Sequence, residues 1–150
     1  MSQSLSRVIV HAVYSTKDRI PLISPEMERR LASFVGGILR SENCPPIAIG
    51  GASDHLHSLF SLSRTIAIGD LIGSVKGRSS SWLNKGSRMR CKFAWQGGYA
   101  VFSVSSSAVE TVARYIRSQR VHHMHHGFQE ELRILLHSHG IDFDERYLWD

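Results

Sequence analysis

Residues 45 to 63, PPIAIGGASDHLHSLFSLS, hold two short apolar runs joined through Gly50, Gly51 and Asp54. Runs of strand length separated by such turn residues specify a hairpin-like pair. What flanks the pair restricts the fold further. Upstream, RVIVHAVYST (7–16) is β-branched and apolar and reads as a buried strand. Between it and the hairpin, SPEMERRLASFVGGILRS opens with Ser24 as N-cap and Pro25 at the first helical position. Met27, Leu31, Phe34, Val35, Ile38 and Leu39 then recur at helical spacing.

Downstream, a second helix is expected from about Ile68 to Asn84, with Leu71, Ile72, Val75, Ser79 and Trp82 inward despite Gly69, Gly73 and Gly77. GGYAVFSVS (97–105) reads as a strand. SSAVETVARYIRSQ has capping-box spacing at Ser107 and Glu110 and predicts a helix to about Gln119. FQEELRILLHSHG predicts a last helix closed by Gly140, with IDFDERYLWD as a tail. Strand, helix, strand, strand, helix, strand is the order of a ferredoxin-like (RRM-like) split βαβ unit. The expectation is an α+β fold whose sheet carries helices on one face, with extra C-terminal helices. No repeat or linker interrupts it, and 150 residues fit a single domain over 1–150. Fold order does not decide activity.

Composition narrows the setting. Cys44 and Cys91 are isolated, the N-terminus lacks the marks of a signal peptide, and no apolar run is long enough to cross a bilayer, which together suggest a cytoplasmic protein. The formal net charge is +5, and its distribution is informative. Between Asp70 and Glu110 no acidic residue occurs, while Lys76, Arg78, Lys85, Arg88, Arg90 and Lys92 all do. Trp82, Phe93, Trp95, Tyr99 and Phe102 lie in the same window, so cations suited to phosphate alternate with rings able to stack on unpaired bases. Nucleic acid is the expected partner.

Side chains at i and i+2 of a strand share a face, so His55 and His57 project together, close enough for both imidazoles to bind one divalent ion. Two nitrogens do not complete a site. In YIRSQ, Tyr115 and Gln119 are four residues apart and share a helical face, at the edge of a stripe formed by Val109, Val112, Ala113 and Ile116. An edge position lets a phenol face a cleft. His11 reads as a strand residue with a satisfied hydrogen bond. VHHMHH (121–126) reads as a polar loop, and His137 and His139 lie near a helix C-terminus, where positive charge is favoured.

Five segments, SDHLHSLF, VKGRSSSWL, FAWQGGYAVFSVS, YIRSQ and FQEELRILLHSHGIDFDERYLWD, resemble the single-domain tyrosine transposases of the IS200/IS605 type. These belong to the His-hydrophobic-His nuclease superfamily and include the REP-associated proteins. The resemblance covers nearly the whole chain in the family's order. It implies that His55 and His57 are paired metal ligands, Tyr115 the nucleophile and Gln119 the third, polar ligand. It further implies cutting and rejoining of single-stranded DNA, recognition of a DNA hairpin, Mg²⁺ or Mn²⁺ as cofactor, and a homodimer in which one subunit's tyrosine helix can complete the other's site. Lys76 and Arg78 match the family's basic segment, and Arg88, Arg90 and Lys92 are further candidate phosphate contacts. The residue that deprotonates Tyr115 is not legible.

Two other readings stand beside this one. An RNA-binding module would present aromatic pairs on its central strands, where this chain presents His55 and His57. A relative repurposed for hairpin binding in regulation or genome maintenance would have no need of an intact His, His and Tyr set.

Overall fold

The computed structural model describes residues 2–86, 89, 91–122 and 126–150. The order is β1 (Ile9–Ser15), α1 (Pro25–Ser41), β2 (Pro46–Gly51), β3 (His55–Ser61), α2 (Ile68–Lys85), β4 (Ala100–Val104), α3 (Val109–Arg117), α4 (Gln119–His122) and α5 (Phe128–Ser138). The four strands form an antiparallel sheet in the order β2-β3-β1-β4. This is the split βαβ arrangement that the segment order predicts.

Alternation along the strands divides the chain between two cores. Val10, Ala12 and Tyr14 of β1 and Leu56 and Phe60 of β3 face α1 and α2, in a core that also takes Leu31, Leu39, Leu71 and Ile72. Truncating any one of these leucines to Ala should cost about 2–5 kcal/mol, because a rigid core closes only partly over the space left. The intervening residues point to the other face. There α3 covers Ile9, Ala48 and Leu59 through Val109, Ala113 and Ile116. On the same face α5 covers Val13 and Phe102 through Phe128, Leu132 and Leu136. The C-terminal helices thus close the face that the split βαβ unit alone leaves open, and both hairpin histidines lie beneath them.

Local signals explain most boundaries. The Ser24 hydroxyl accepts from the Met27 N–H at 3.1 Å and caps α1, with Pro25 behind it. Past α5, Gly140 takes φ +65°, and the Ile141 and Gly140 amides return to Leu136 and His137 carbonyls in a Schellman closure. Gly73 and Gly77 of α2 meet nothing at the position of a Cβ, so they lie on its open side while Leu71, Ile72, Val75, Ser79 and Leu83 are buried. Trp82, expected inward, is only partly buried and stacks on Phe34 with centroids 4.5 Å apart.

The helix carrying Tyr115 departs from expectation. Ser106–Ala108 form a 3-10 turn, α3 starts at Val109, and no side chain caps it; Ser107 bonds Ser105 instead. At the other end α3 stops at Arg117. Gln119 opens the separate four-residue α4, so it is not held to Tyr115 by one continuous helix.

Candidate metal and tyrosine site

The site begins with strand alternation. His55, His57 and His11 lie on the face covered by α3 and α5, and all three are buried. Each hairpin histidine is gripped from behind. Asp54 Oδ1 lies 2.8 Å from His55 Nδ1, and His11 Nε2 lies 2.7 Å from His57 Nδ1. The opposite nitrogens of both rings therefore turn to a common point. His55 Nε2 is 3.0 Å from Gln119 Oε1, and His57 Nε2 is 2.8 Å from Glu131 Oε1. Fixing one ring nitrogen by an outer partner sets the orientation of the other, which is how metal-binding imidazoles are held.

Glu131 joins the parts. One carboxylate oxygen faces His57 and stands 3.5 Å from His55 Nε2, and the other accepts a hydrogen bond from the Tyr115 hydroxyl. The Tyr115 ring stands edge-on to His57, 5.8 Å between centroids. Three residues earlier on α5, Phe128 stacks on His55 at 4.5 Å. One face of α5 thus seals both histidines. Burial and the Glu131 carboxylate push the Tyr115 phenol well above its usual pKa, so folding holds the proton on this oxygen. Burial, reinforced by the neighbouring His57, pulls His11 down to about 3 and keeps it neutral.

Packing and salt links position the helical residues. A Cβ at Gly50 would fall 2.6 Å from the Ile116 carbonyl oxygen, so only glycine in β2 lets α3 approach this closely. Arg120, next to Gln119, bonds the Glu28 carboxylate and the Ile23 carbonyl, tying α4 to α1 and the segment before it. The tail residues Leu148 and Trp149 pack in the α5 core, and Arg133 of α5 bonds Glu145.

His55, His57 and Glu131 each offer one ligand atom, and these lie within 4.8 Å of one another. The set suits a divalent cation: two imidazole nitrogens and a carboxylate, with the Gln119 carbonyl oxygen beside them. The Gln119 amide also lies beside the Tyr115 hydroxyl, where its hydrogen bonding partly offsets the rise in the phenol's pKa. Beside Tyr115 a cleft of about 710 Å³ opens between β4, α3 and α5, bordered by Val104, Val112, Tyr115, Glu131 and Ile134. It gives a substrate access to the phenol.

The basic window is divided by the fold. Lys76 turns inward, donating to the Gln96 and Gly98 carbonyls between the Tyr14 and Tyr99 rings, and burial pulls its pKa down to about 8. Arg78 is exposed and, with Arg29 and Arg30, borders a groove of about 620 Å³ floored by Phe34 and Trp82. That groove lies on the helix pair α1 and α2, across the sheet from the histidines. Lys92 is exposed. Arg88, Arg90 and residues 123–125 of the VHHMHH segment lie outside the described residues, and Val121 and His122 belong to α4. Trp95 is core, its indole N–H bonded to Ser79.

Sequence reasoning assembled His55, His57, Tyr115 and Gln119, and the fold brings these four together. It missed Glu131 and Phe128. The signal was present: in FQEELRILLHS, Glu131 falls on the same face as Phe128, Leu132 and Leu136, and a carboxylate in an apolar stripe has to have a partner. His11 has the hydrogen bond expected of it, and its partner is a member of the site.

The family described as "Transposase IS200 like" matches residues 4–119. Two solved structures share the fold. One is described as a transposase from Deinococcus radiodurans R1, at 19% identity and TM-score 0.62 over 80% of this chain and 98% of that one. The other is a REP-associated tyrosine transposase bound to a REP hairpin, at 12% identity and TM-score 0.59 over 82% of this chain and 74% of that one. Comparison with curated protein sequences gives no match.

Proposed function

Since the chain belongs to the family of IS200-like transposases, we propose that it cuts and rejoins single-stranded DNA through Tyr115, with a divalent cation at His55, His57 and Glu131 and with Gln119 beside it. The observation that carries this reading is the contact of Tyr115 with Glu131, whose other oxygen faces His57. A nucleophile and a ligand set suited to a phosphate-binding cation thereby share one carboxylate.

The residues have separable tasks. Tyr115 Oη attacks phosphorus, the bond from phosphorus to the 3′ oxygen breaks, and the DNA is left as a 5′-phosphotyrosine and a free 3′-hydroxyl. The phosphoester is retained, so the reverse attack by a 3′-hydroxyl rejoins strands without a nucleotide cofactor. Glu131 Oε2 holds the phenol proton at the oxygen that must lose it. His55 and His57 turn Nε2 inward because Asp54 and His11 occupy Nδ1. A bound Mg²⁺ or Mn²⁺ supplies Lewis-acid stabilisation of the phosphate oxygens and offsets the carboxylate charge that disfavours a phenolate. Phe128 and α5 exclude water from the histidines.

In this reading the substrate is a DNA hairpin, as in the structurally similar REP-associated transposase with its REP hairpin. The groove of Arg29, Arg30 and Arg78 offers cations beside stackable rings and is a second contact surface, distinct from the cleft at Tyr115. The protein is expected to act as a homodimer. Tyr115 meets the histidines of its own chain, so each subunit can carry a full set of groups. The chemistry is tested by incubating the protein with Mn²⁺ and a pool of labelled single-stranded hairpins. A denaturing gel should show a protein–DNA adduct that vanishes with chelator and in Tyr115→Phe. An adduct that survives in Tyr115→Phe overturns the assignment.

A further inference from the structure

His11 is a buried, titratable side chain for which the reaction has no direct use, and it sits on β1 rather than in any segment that carries chemistry. In register, His11 pairs with Leu59 and His57 with Val13, so the two imidazoles are diagonal neighbours on one face of the sheet. Their ring centroids are 4.9 Å apart with 26° between planes, and His11 Nε2 meets His57 Nδ1 at 2.7 Å, so the two rings meet edge to edge through this hydrogen bond. Phe102 packs against His11 at 6.0 Å on the side of β4. The ring is thus fixed by the sheet, and one of its nitrogens is spent on His57.

We propose that His11 is a positioning residue of the metal site, holding the His57 ring through Nδ1 so that Nε2 stays turned toward Glu131 and the cation. This rests on the reading of His55, His57 and Glu131 as the ligand set. The two hairpin histidines are oriented by different chemistry. Asp54 can only accept a hydrogen bond, so it holds His55 through Nδ1–H and leaves Nε2 facing Gln119 and the cation position. A neutral imidazole can do either. While Nε2–H of His57 donates to Glu131, His11 donates through Nε2–H to Nδ1; once a cation displaces the His57 Nε2 proton and His57 is protonated at Nδ1, His11 carries its own proton on Nδ1 and its Nε2 accepts. A carboxylate in place of His11 would add a negative charge, and an apolar residue would remove this buried hydrogen bond to Nδ1. A neutral imidazole serves both forms at this distance.

His11→Phe keeps an aromatic ring at this position and removes the hydrogen bond; His11→Gln places an amide where Nε2 was. Mn²⁺ binding to the full chain, measured by calorimetry or by the loss of the free-ion electron resonance signal, should weaken about 10–100-fold in His11→Phe and recover most of its strength in His11→Gln. Equal affinity of His11→Phe and the parent overturns the proposal. So does an equal weakening in both variants, because that is the pattern of a packing role. If the parent binds no Mn²⁺, the ligand assignment itself fails, which is a different result. A second measurement needs no variant. In protein labelled with ¹⁵N-histidine, Mg²⁺ should move His57 to the form protonated at Nδ1, with a coupling across the hydrogen bond to His11 Nε2. A His57 that keeps its proton on Nε2, or lacks that coupling, contradicts the proposal.

Discussion

Tyr115 donates its hydroxyl proton to Glu131 Oε2, and Glu131 Oε1 lies 2.8 Å from His57 Nε2. A single carboxylate from α5 therefore bridges the expected nucleophile and the expected metal ligands. Glu131→Gln keeps the shape of this bridge and removes its charge. It should weaken Mn²⁺ binding by tenfold or more, on the order of 1.4 kcal/mol, and lower adduct formation at subsaturating metal. Calorimetry and the adduct gel check the two effects separately.

Gly50 sets how closely the Tyr115 helix can approach the sheet. A Cβ there meets the Ile116 carbonyl at 2.6 Å, against backbone rather than a movable side chain. Gly50→Ala should push α3 outward and destabilise the chain by roughly 1–3 kcal/mol. Cleavage should fall more than hairpin binding, because the groove at Arg78 lies on the other face of the sheet. Thermal melts and paired binding and cleavage assays would show it.

Both pH limits of stability follow from the buried groups. His11 is held near 3 in the folded chain against 6.5 unfolded, so the unfolded state binds more protons between those values. Stability should fall as pH drops from about 6.5 toward 3. Tyr14 and Tyr115 are both raised above 10, so the folded state binds more protons above that pH, and stability should fall there too. Melting temperatures across pH should show both slopes, the alkaline one shallower in Tyr115→Phe.

Two serines that look alike as helix starts should behave differently. Ser24 caps α1, and Ser24→Ala should cost about 1 kcal/mol. Ser107 makes no cap bond to α3, so Ser107→Ala should fall within about 0.5 kcal/mol of the parent, the range of an ordinary surface change. Urea titrations resolve the difference.

The contrast between those serines shows where sequence was a sufficient guide. Ser24 and Pro25 signal locally, and so do the hairpin glycines and the alternation that sets His55 and His57 on one face. The order of segments specified the split βαβ sheet for the same reason: each element carries its own period. Tertiary contacts decided the rest. Gln119 reaches His55 from a separate short helix anchored by Arg120 and Glu28, which no i, i+4 rule expresses. Glu131 was legible only as an anomaly in an apolar stripe, since its partners lie 16 and 74 residues away in sequence. Lys76 counted with the basic window by composition, but its length lets it reach the Gln96 and Gly98 carbonyls instead.

Crystals soaked in Mn²⁺ and measured at the manganese absorption edge would locate the cation directly. The account predicts one anomalous peak bonded to His55 Nε2, His57 Nε2 and a Glu131 oxygen, lost in the double variant His55→Ala, His57→Ala. A peak elsewhere, with these three groups keeping the hydrogen bonds described above, would contradict it.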